Sequence, residues 1–239
     1  MRGLLTREWL FFKGAMGKAG LVRYLVIYVG IFGLFIPSQI GHPSASLVVF
    51  GFLPIYVAGP AAVDAIAGER ERKTLETLLS APVEPTVVLA GKALFSLLFS
   101  LASAWIALVL YEILQTILGR GFPTLNALLF SLTLGVLTGA LSTLVGLNVS
   151  LRASSARSAQ QWYSIVLIGI TVGLPFGLKL VLDRIPQSII RSISNLFAEG
   201  WFSTGSLITL AFITFVCLVL WIRLHRQFPR LWCLNEPQG

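Results

Sequence analysis

The stretch that determines the fold class is YLVIYVGIFGLFIPSQIGHPSASLVVFGFLPIYVAGPAAV, residues 24–63, which contains no Asp, Glu, Lys or Arg. A helix needs about 20 mostly apolar residues to cross the hydrocarbon core of a bilayer. The stretch is therefore too long for one crossing, and it is interrupted at Gly41-His42-Pro43, where glycine and proline favour a turn. We predict two spans here, near residues 22–40 and 46–67.

Four further segments are long and apolar enough to cross a membrane. Only 12% of the 239 residues are charged, about half the share in a soluble domain. The sequence therefore predicts an all-α integral membrane protein, with six transmembrane helices in one domain over residues 1–239 and no room for a soluble catalytic domain. The four further spans are predicted near residues 90–117, 125–150, 160–182 and 202–222.

The positions of the basic residues predict the orientation of the chain. If the N-terminus is inside, the outer segments contain Arg120, Lys179, Arg184 and Arg191, and the inner segments contain the other 14 of the 18 Lys and Arg residues. Positive side chains remain on the cytoplasmic side during insertion. We therefore expect both termini in the cytoplasm and a multi-pass protein of the cytoplasmic membrane. Because the net charge of +8 follows this loop pattern, we expect the lipid bilayer, and no nucleic acid, as a partner.

Two segments outside the predicted spans have an apolar stripe on one helical face. In residues 5–16 the stripe precedes the first span and predicts a helix along the inner membrane surface. In residues 185–197 it predicts an amphipathic helix at the outer boundary, because this segment is too short and polar to cross. Either helix could serve as a membrane anchor alone.

The loop between spans two and three, Gly68–Leu94, reads GERERKTLETLLSAPVEPTVVLAGKAL. Glu69 precedes Lys73 by four positions, the favourable order for a helix-supporting ion pair. Pro82 and Pro85 end the helical pattern, because proline lacks an N–H and disfavours helical geometry before it. The loop therefore predicts a short amphipathic cytoplasmic helix suited to a groove on a partner. Its leucines form one face with helical spacing: Leu75, Leu78 and Leu79.

The same loop carries a set of motifs that point to a known family. They are Glu69-Arg70-Glu71, Thr74-Leu75, Leu78-Leu79, Pro82-Val83 and Gly91-Lys92. This pattern resembles the ABC-2 type permeases, the membrane subunits of ABC exporters, and six spans with an inner and an outer surface helix agree with that family. The resemblance implies a coupling helix that seats on a separate ATPase subunit. The positions implied to contact the ATPase are Glu69, Arg70, Glu71, Lys73, Thr74, Leu75, Leu78, Leu79 and Pro82.

The chain has no phosphate-binding loop of its own. Such a loop needs GxxxxGK[ST], in which backbone N–H groups and a lysine surround the phosphates. Residues 14–18 have the wrong spacing, and Gly91-Lys92 is followed by Ala93. We therefore expect no cofactor on this chain, and the resemblance implies ATP and Mg²⁺ on the partner ATPase.

Two other classes of function compete with a permease. An intramembrane protease would need a buried Ser–His pair, but His42 lies in a predicted outer loop and His225 follows the last span. A metal enzyme would need a cluster of His or Cys ligands, which the sequence lacks. We expect no catalytic or metal-binding residue. An ATP-independent channel or scaffold is the alternative, and it predicts no associated ATPase.

Charged side chains at membrane depth are costly and are candidates for function. Asp64, near the inner end of span two, could gate a pathway or cap the following helix. Glu112, in the outer part of span three, could face a cavity or reach outward to water. Few such charges favour a hydrophobic or amphiphilic cargo, which the sequence does not specify further.

Small residues predict where helices approach one another closely. Gly169, Gly173 and Gly177 form two overlapping GxxxG repeats on one face of span five, and span four contains Gly135 and Gly139. These surfaces could pack within the chain, or span five could form a two-fold interface, as the resemblance implies. Because six spans make half of the usual pathway in that family, we expect a homodimer or a heterodimer of related permeases.

Overall fold

A computed structural model describes residues 43–74, 84–119, 124–170 and 203–233, together with isolated positions between 23 and 35. Within these ranges the chain is helical and forms no strand. Four helices contain a segment long and apolar enough to cross a membrane, so the all-α membrane fold is confirmed for this part. The helices are α1 (Pro43–Glu71), α2 (Pro85–Ile117), α3 (Leu125–Arg152), α4 (Ala156–Ile168) and α5 (Thr204–Cys233).

The helices extend beyond several predicted spans. Helix α1 continues four residues past position 67, α2 begins at Pro85 instead of residue 90, and α5 continues from the predicted end at 222 to Cys233. The spans were predicted from uncharged windows, whereas backbone hydrogen bonding continues into water until a terminating residue intervenes. Pro85 occupies the first turn of α2, where its missing N–H costs nothing.

Several predicted elements lie outside the described residues. They are most of span one, the surface helix within residues 5–16, the leucine face at 75–79, the second half of span five and the outer helix at 185–197. Helix α4 gives the beginning of span five, four residues before the predicted start at 160.

Helix α1 is the central helix of the described bundle. Of its membrane-spanning window 67% is buried, against 6% for α5. Helices α2, α3 and α4 all pack against α1, and α5 packs against α2 and α3. Helix α5 therefore lies at the periphery of the bundle.

Helices α1 and α3 are joined by a row of hydrogen bonds from side-chain hydroxyls to backbone carbonyls. Thr138, Ser142 and Ser150 donate to the carbonyl oxygens of Gly51, Ile55 and Val63 at 2.6, 2.7 and 2.6 Å, respectively. Each hydroxyl lies 87 positions after the residue that it contacts. A constant offset requires parallel helices, as expected for two spans separated by one other span.

Glycines allow this close approach where the row has no hydroxyl. A methyl group on Gly146 would lie 3.0 Å from the Gly59 carbonyl oxygen, and one on Gly139 would lie 3.1 Å from Pro54. Gly135 also faces Pro54. The small residues of span four therefore pack against other helices of the same chain. This is the first of the two arrangements considered for these surfaces in the sequence analysis.

Helix α4 joins this interface through Tyr163. Its buried hydroxyl donates to the Ile55 carbonyl oxygen at 2.8 Å and is hydrogen-bonded to the Ser142 hydroxyl at 2.7 Å. The ring occupies the space that a side chain at position 59 would need, and Gly59 leaves it free. Three helices are therefore fixed relative to one another at this point.

Candidate functional site at the end of helix α1

Helix α1 ends in a tight turn directly before residues 75–83. The N–H of Thr74 donates to the Glu69 carbonyl at 3.0 Å, and the N–H of Lys73 donates to the Arg70 carbonyl at 3.1 Å. Lys73 has a left-handed backbone, with φ of 58°. These features form a Schellman motif, which stops a helix sharply. Glu69, Arg70 and Glu71 are therefore the last turn of a spanning helix and do not begin a separate loop helix.

Glu69 forms a buried ion pair with α2. Its Oε1 atom lies 2.7 Å from Nζ of Lys92, and the two side chains are only 5% and 2% exposed. Oε2 of Glu69 is buried without a hydrogen-bond partner. The predicted pairing of Glu69 with Lys73 is wrong, because Lys73 lies past the end of the helix in a left-handed conformation and is exposed.

Arg70 binds the end of α3. Its guanidinium donates to the carbonyl oxygen of Ala153 and, at 3.4 Å, to that of Leu151. Helix α3 ends at Arg152, so these carbonyls belong to the terminal group that has no partner within the helix. A positive charge is favourable there, because the C-terminus is the negative end of the helix dipole.

Glu71 binds the beginning of α4. Its Oε2 atom accepts from the N–H of Ala156 at 2.9 Å, and Ala156 is the first residue of α4. The N-terminus is the positive end of the helix dipole, where a carboxylate is favourable. The Ser155 hydroxyl accepts a second free N–H, that of Ser158, at 3.2 Å.

Three successive residues therefore bind three different helices, each with the appropriate charge. We call Glu69, Arg70 and Glu71 the anchoring triplet. The sequence predicts these residues as an ATPase contact, and that role stays a prediction. Their contacts within the chain lie between 23 and 85 positions away, so the local pattern does not indicate them.

The other predicted site residues lie apart from the triplet. Asp64 forms a partly exposed ion pair with Arg72 at 3.3 Å, and Oε1 of Glu112 is buried without a hydrogen-bond partner. A pathway or gate role for either residue stays a prediction. Gly169 is exposed, with nothing within 4 Å of a side chain placed there, whereas Gly173 and Gly177 lie outside the described residues.

A second feature is an apolar groove of about 340 Å³ between α2, α3 and α5. The hydroxyl of Thr143 lines it and is buried without a hydrogen-bond partner. Among the described residues, no group of three His, Cys, Asp or Glu side chains is placed to hold a metal ion.

Long apolar helices packed around a central span define a multi-pass helical membrane protein. The chain matches the family model described as ABC-2 family transporter protein over residues 16–222, and it belongs to that family. It is 31% identical over 139 residues to the ABC transporter permease protein NatB of Bacillus subtilis (strain 168). That alignment covers 52% of this chain and 36% of the relative, so the chain spans about a third of the relative's length. The resemblance carried by the loop motifs is confirmed.

Proposed function

We propose that the chain is the permease subunit of an ATP-driven ABC transporter that exports its cargo. It forms the translocation pathway with a second permease copy, and ATP with Mg²⁺ is bound and hydrolysed on separate ATPase subunits. The observation that carries this proposal is the charged end of α1, which fixes Lys73 and Thr74, the residues directly before 75–83, to the bundle in a chain of the ABC-2 family. A segment held in this way can pass a partner's movement to the membrane helices.

The proposed ATPase contact is smaller than the predicted one. The buried Glu69 and the half-buried Arg70 are engaged by α2 and α3, and the exposed Glu71 binds α4, so we assign the triplet to contacts within the permease. Lys73 and Thr74 are exposed and lead directly into the leucine face. The proposed contact consists of Lys73, Thr74, Leu75, Leu78, Leu79 and Pro82.

The charges of the described bundle support a cytoplasmic position for this site. The triplet brings the end of α1 together with the ends of α2, α3 and α4, and Phe228 near the end of α5 packs in the same cluster as Ile66 and Leu89. At the opposite end of the bundle, the described parts of the helices contain no Lys or Arg. These parts are residues 43–50, 110–119, 124–130 and 203–210. Basic residues mark the cytoplasmic side of a membrane protein.

A second copy is proposed to pack against span five, either as an identical chain or as a related permease. Gly169 is open to an approaching helix, and Trp162 and Ile165 on α4 are exposed. In a chain with Cys217 and Cys233 replaced by Ser, Gly169→Cys should become cross-linked in membranes to a second copy or, in a heterodimer, to a Cys at the aligned position of the related permease. A Cys at Ile208, exposed on peripheral α5, is the matched control. Equal cross-linking at the two positions would contradict this interface.

The ATPase contact is tested by placing a charge on the leucine face. We expect Leu78→Asp to abolish co-purification of the ATPase while insertion into the membrane is retained, because a groove for an apolar face does not accept a buried carboxylate. Thr77→Asp adds the same charge off the leucine face and should leave co-purification intact. Undiminished recovery of the ATPase with Leu75→Asp, Leu78→Asp and Leu79→Asp combined would refute the assignment.

A further inference from the structure

We propose that the anchoring triplet consists of positioning residues that pass movement of residues 75–83 to α2, α3 and α4 at the same time. This inference rests on the proposed function. It assigns to Glu69, Arg70 and Glu71 a role distinct from binding the ATPase: they determine whether ATP-driven movement reaches the membrane helices.

Residues 75–83, which we call the docking segment, follow directly after two residues that are hydrogen-bonded to the triplet. Thr74 is bonded to Glu69 twice, through its N–H at 3.0 Å and its hydroxyl at 3.3 Å, and Lys73 is bonded to Arg70. The chain at Thr74 is therefore joined to the last turn of α1 by the same residues that carry the triplet. A displacement of Thr74 therefore moves that turn.

The triplet is in turn bound to the helices α2, α3 and α4. Each contact is charge-assisted, and such hydrogen bonds are about twice as strong as neutral ones. The Glu69–Lys92 pair is almost fully buried, where low polarity strengthens electrostatic interactions. The contacts of Arg70 and Glu71 fall on the two sides of the short α3–α4 connection at residues 153–155. Movement of the last turn of α1 therefore acts on both helices there and on α2.

Exposure and intrachain contacts distinguish a positioning residue from a residue that contacts the ATPase. A residue that binds the ATPase must be reachable from outside, yet Glu69 is 4% exposed. Arg70 is half-buried and Glu71 is exposed, so for these two residues the hydrogen bonds to the ends of α3 and α4 carry the distinction. Glu84, at the other end of residues 75–83, provides a comparison. It is exposed, and its side chain makes no capping hydrogen bond to α2. Its carboxylate lies next to the docking segment in the sequence and makes no hydrogen bond or ion pair to a second helix within the described residues.

The experiment uses the complete transporter, permease with its ATPase, reconstituted in vesicles. Cys217 and Cys233 are replaced by Ser, and a spin label is attached through Leu118→Cys, an exposed position at the far end of α2. The distance between the labels of the two permease copies is measured with and without ATP and vanadate; in a heterodimer the second label is placed at the aligned position of the related permease. Co-purified ATPase, its ATP hydrolysis and the unfolding temperature are measured on the same samples.

For Glu71→Gln we expect normal recovery of the ATPase and retained ATP hydrolysis. The fraction of molecules in which the label distance changes on ATP addition should be about fivefold lower than in wild type. That factor corresponds to exchange of a charge-assisted hydrogen bond for a neutral one. Glu84→Gln should behave as wild type. The double variant Glu69→Lys with Lys92→Glu restores opposite charges at the two positions. It should recover more of the ATP-dependent distance change than Glu69→Lys alone, and a general folding defect would not give this recovery.

Two results would overturn the inference. If Glu71→Gln responds to ATP as fully as Glu84→Gln, the triplet has only a structural role. If Glu71→Gln loses the ATPase altogether, the triplet is a partner contact. A wild-type chain that recovers no ATPase would instead refute the proposed function, and the inference with it.

Discussion

Replacement of Lys92 by Met should be one of the most destabilising single changes near the end of α1. Lys92 Nζ is 2.7 Å from Oε1 of Glu69. Because Oε2 of Glu69 already has no hydrogen-bond partner, Lys92→Met leaves a buried carboxylate with neither oxygen bonded. The stranded charge, more than the lost attraction, determines the effect.

The magnitude follows from the burial of the pair. Removing one partner of a buried ion pair costs about 3–5 kcal/mol, and 1 kcal/mol corresponds to roughly 2–4 °C in a chain of this size. The midpoint of thermal unfolding of Lys92→Met should therefore fall by about 10 °C. Glu69→Gln with Lys92→Met removes both charges, so the double variant should lose only about 1 kcal/mol. Glu69→Gln alone likewise removes the carboxylate opposite the buried Lys92 charge. The summed losses of the two single variants should therefore exceed the loss of the double variant by about 5 kcal/mol or more.

The assay is thermal unfolding of the purified permease in mild detergent for wild type, both single variants and the double variant. Asp64→Asn is the control, because the Asp64–Arg72 pair at 3.3 Å is 30% and 39% exposed and should contribute less than about 1 kcal/mol. A Lys92→Met midpoint within about 2 °C of wild type, or additive effects of the two changes, would show that the pair is not buried as described.

Four further substitutions in the same bundle are tested with the same unfolding assay. Thr138→Val should cost about 1 kcal/mol, because the Thr138 hydroxyl donates to the Gly51 carbonyl at 2.6 Å. Thr143→Val should be neutral or stabilising, because the Thr143 hydroxyl is buried without a partner; equal losses for these two variants would be inconsistent with the structure. Lys73→Gly should raise the midpoint by about 2–4 °C, because glycine adopts φ of 58° without the penalty of a side chain, and a lowered midpoint would argue against the Schellman turn. Tyr163→Phe should cost about 1–2 kcal/mol, because its hydroxyl links α1 to α3 and α4; an unchanged midpoint would count against that junction.

Long uncharged windows were sufficient to predict the membrane helices that the structure describes. A bilayer offers no hydrogen-bonding partner to the backbone, so each apolar window must form a helix or part of a closed barrel. The same rule does not specify where a helix ends in water. Helix α1 ends through a Schellman turn centred on Lys73, and the sequence has no glycine there to indicate a left-handed residue.

The role of the anchoring triplet could not be read from local pattern. Alternating charge after a span is typical of an exposed cytoplasmic loop, and helix periodicity favoured a contact between Glu69 and Lys73. The actual partners are Lys92 and the ends of two helices that follow in the chain about 80 residues later. Helix-terminal N–H and carbonyl groups are backbone features, so no residue type in the sequence identifies them as ligands.

The most direct test of the central claim is to isolate the tagged chain from its native membranes in mild detergent and to identify its stoichiometric partners. The account predicts one ABC ATPase subunit for each permease copy, and the loss of that subunit from the leucine-face variants. Repeated recovery of the chain without any ATPase, with ATP and a cross-linker present, would contradict it and favour an ATP-independent channel or scaffold.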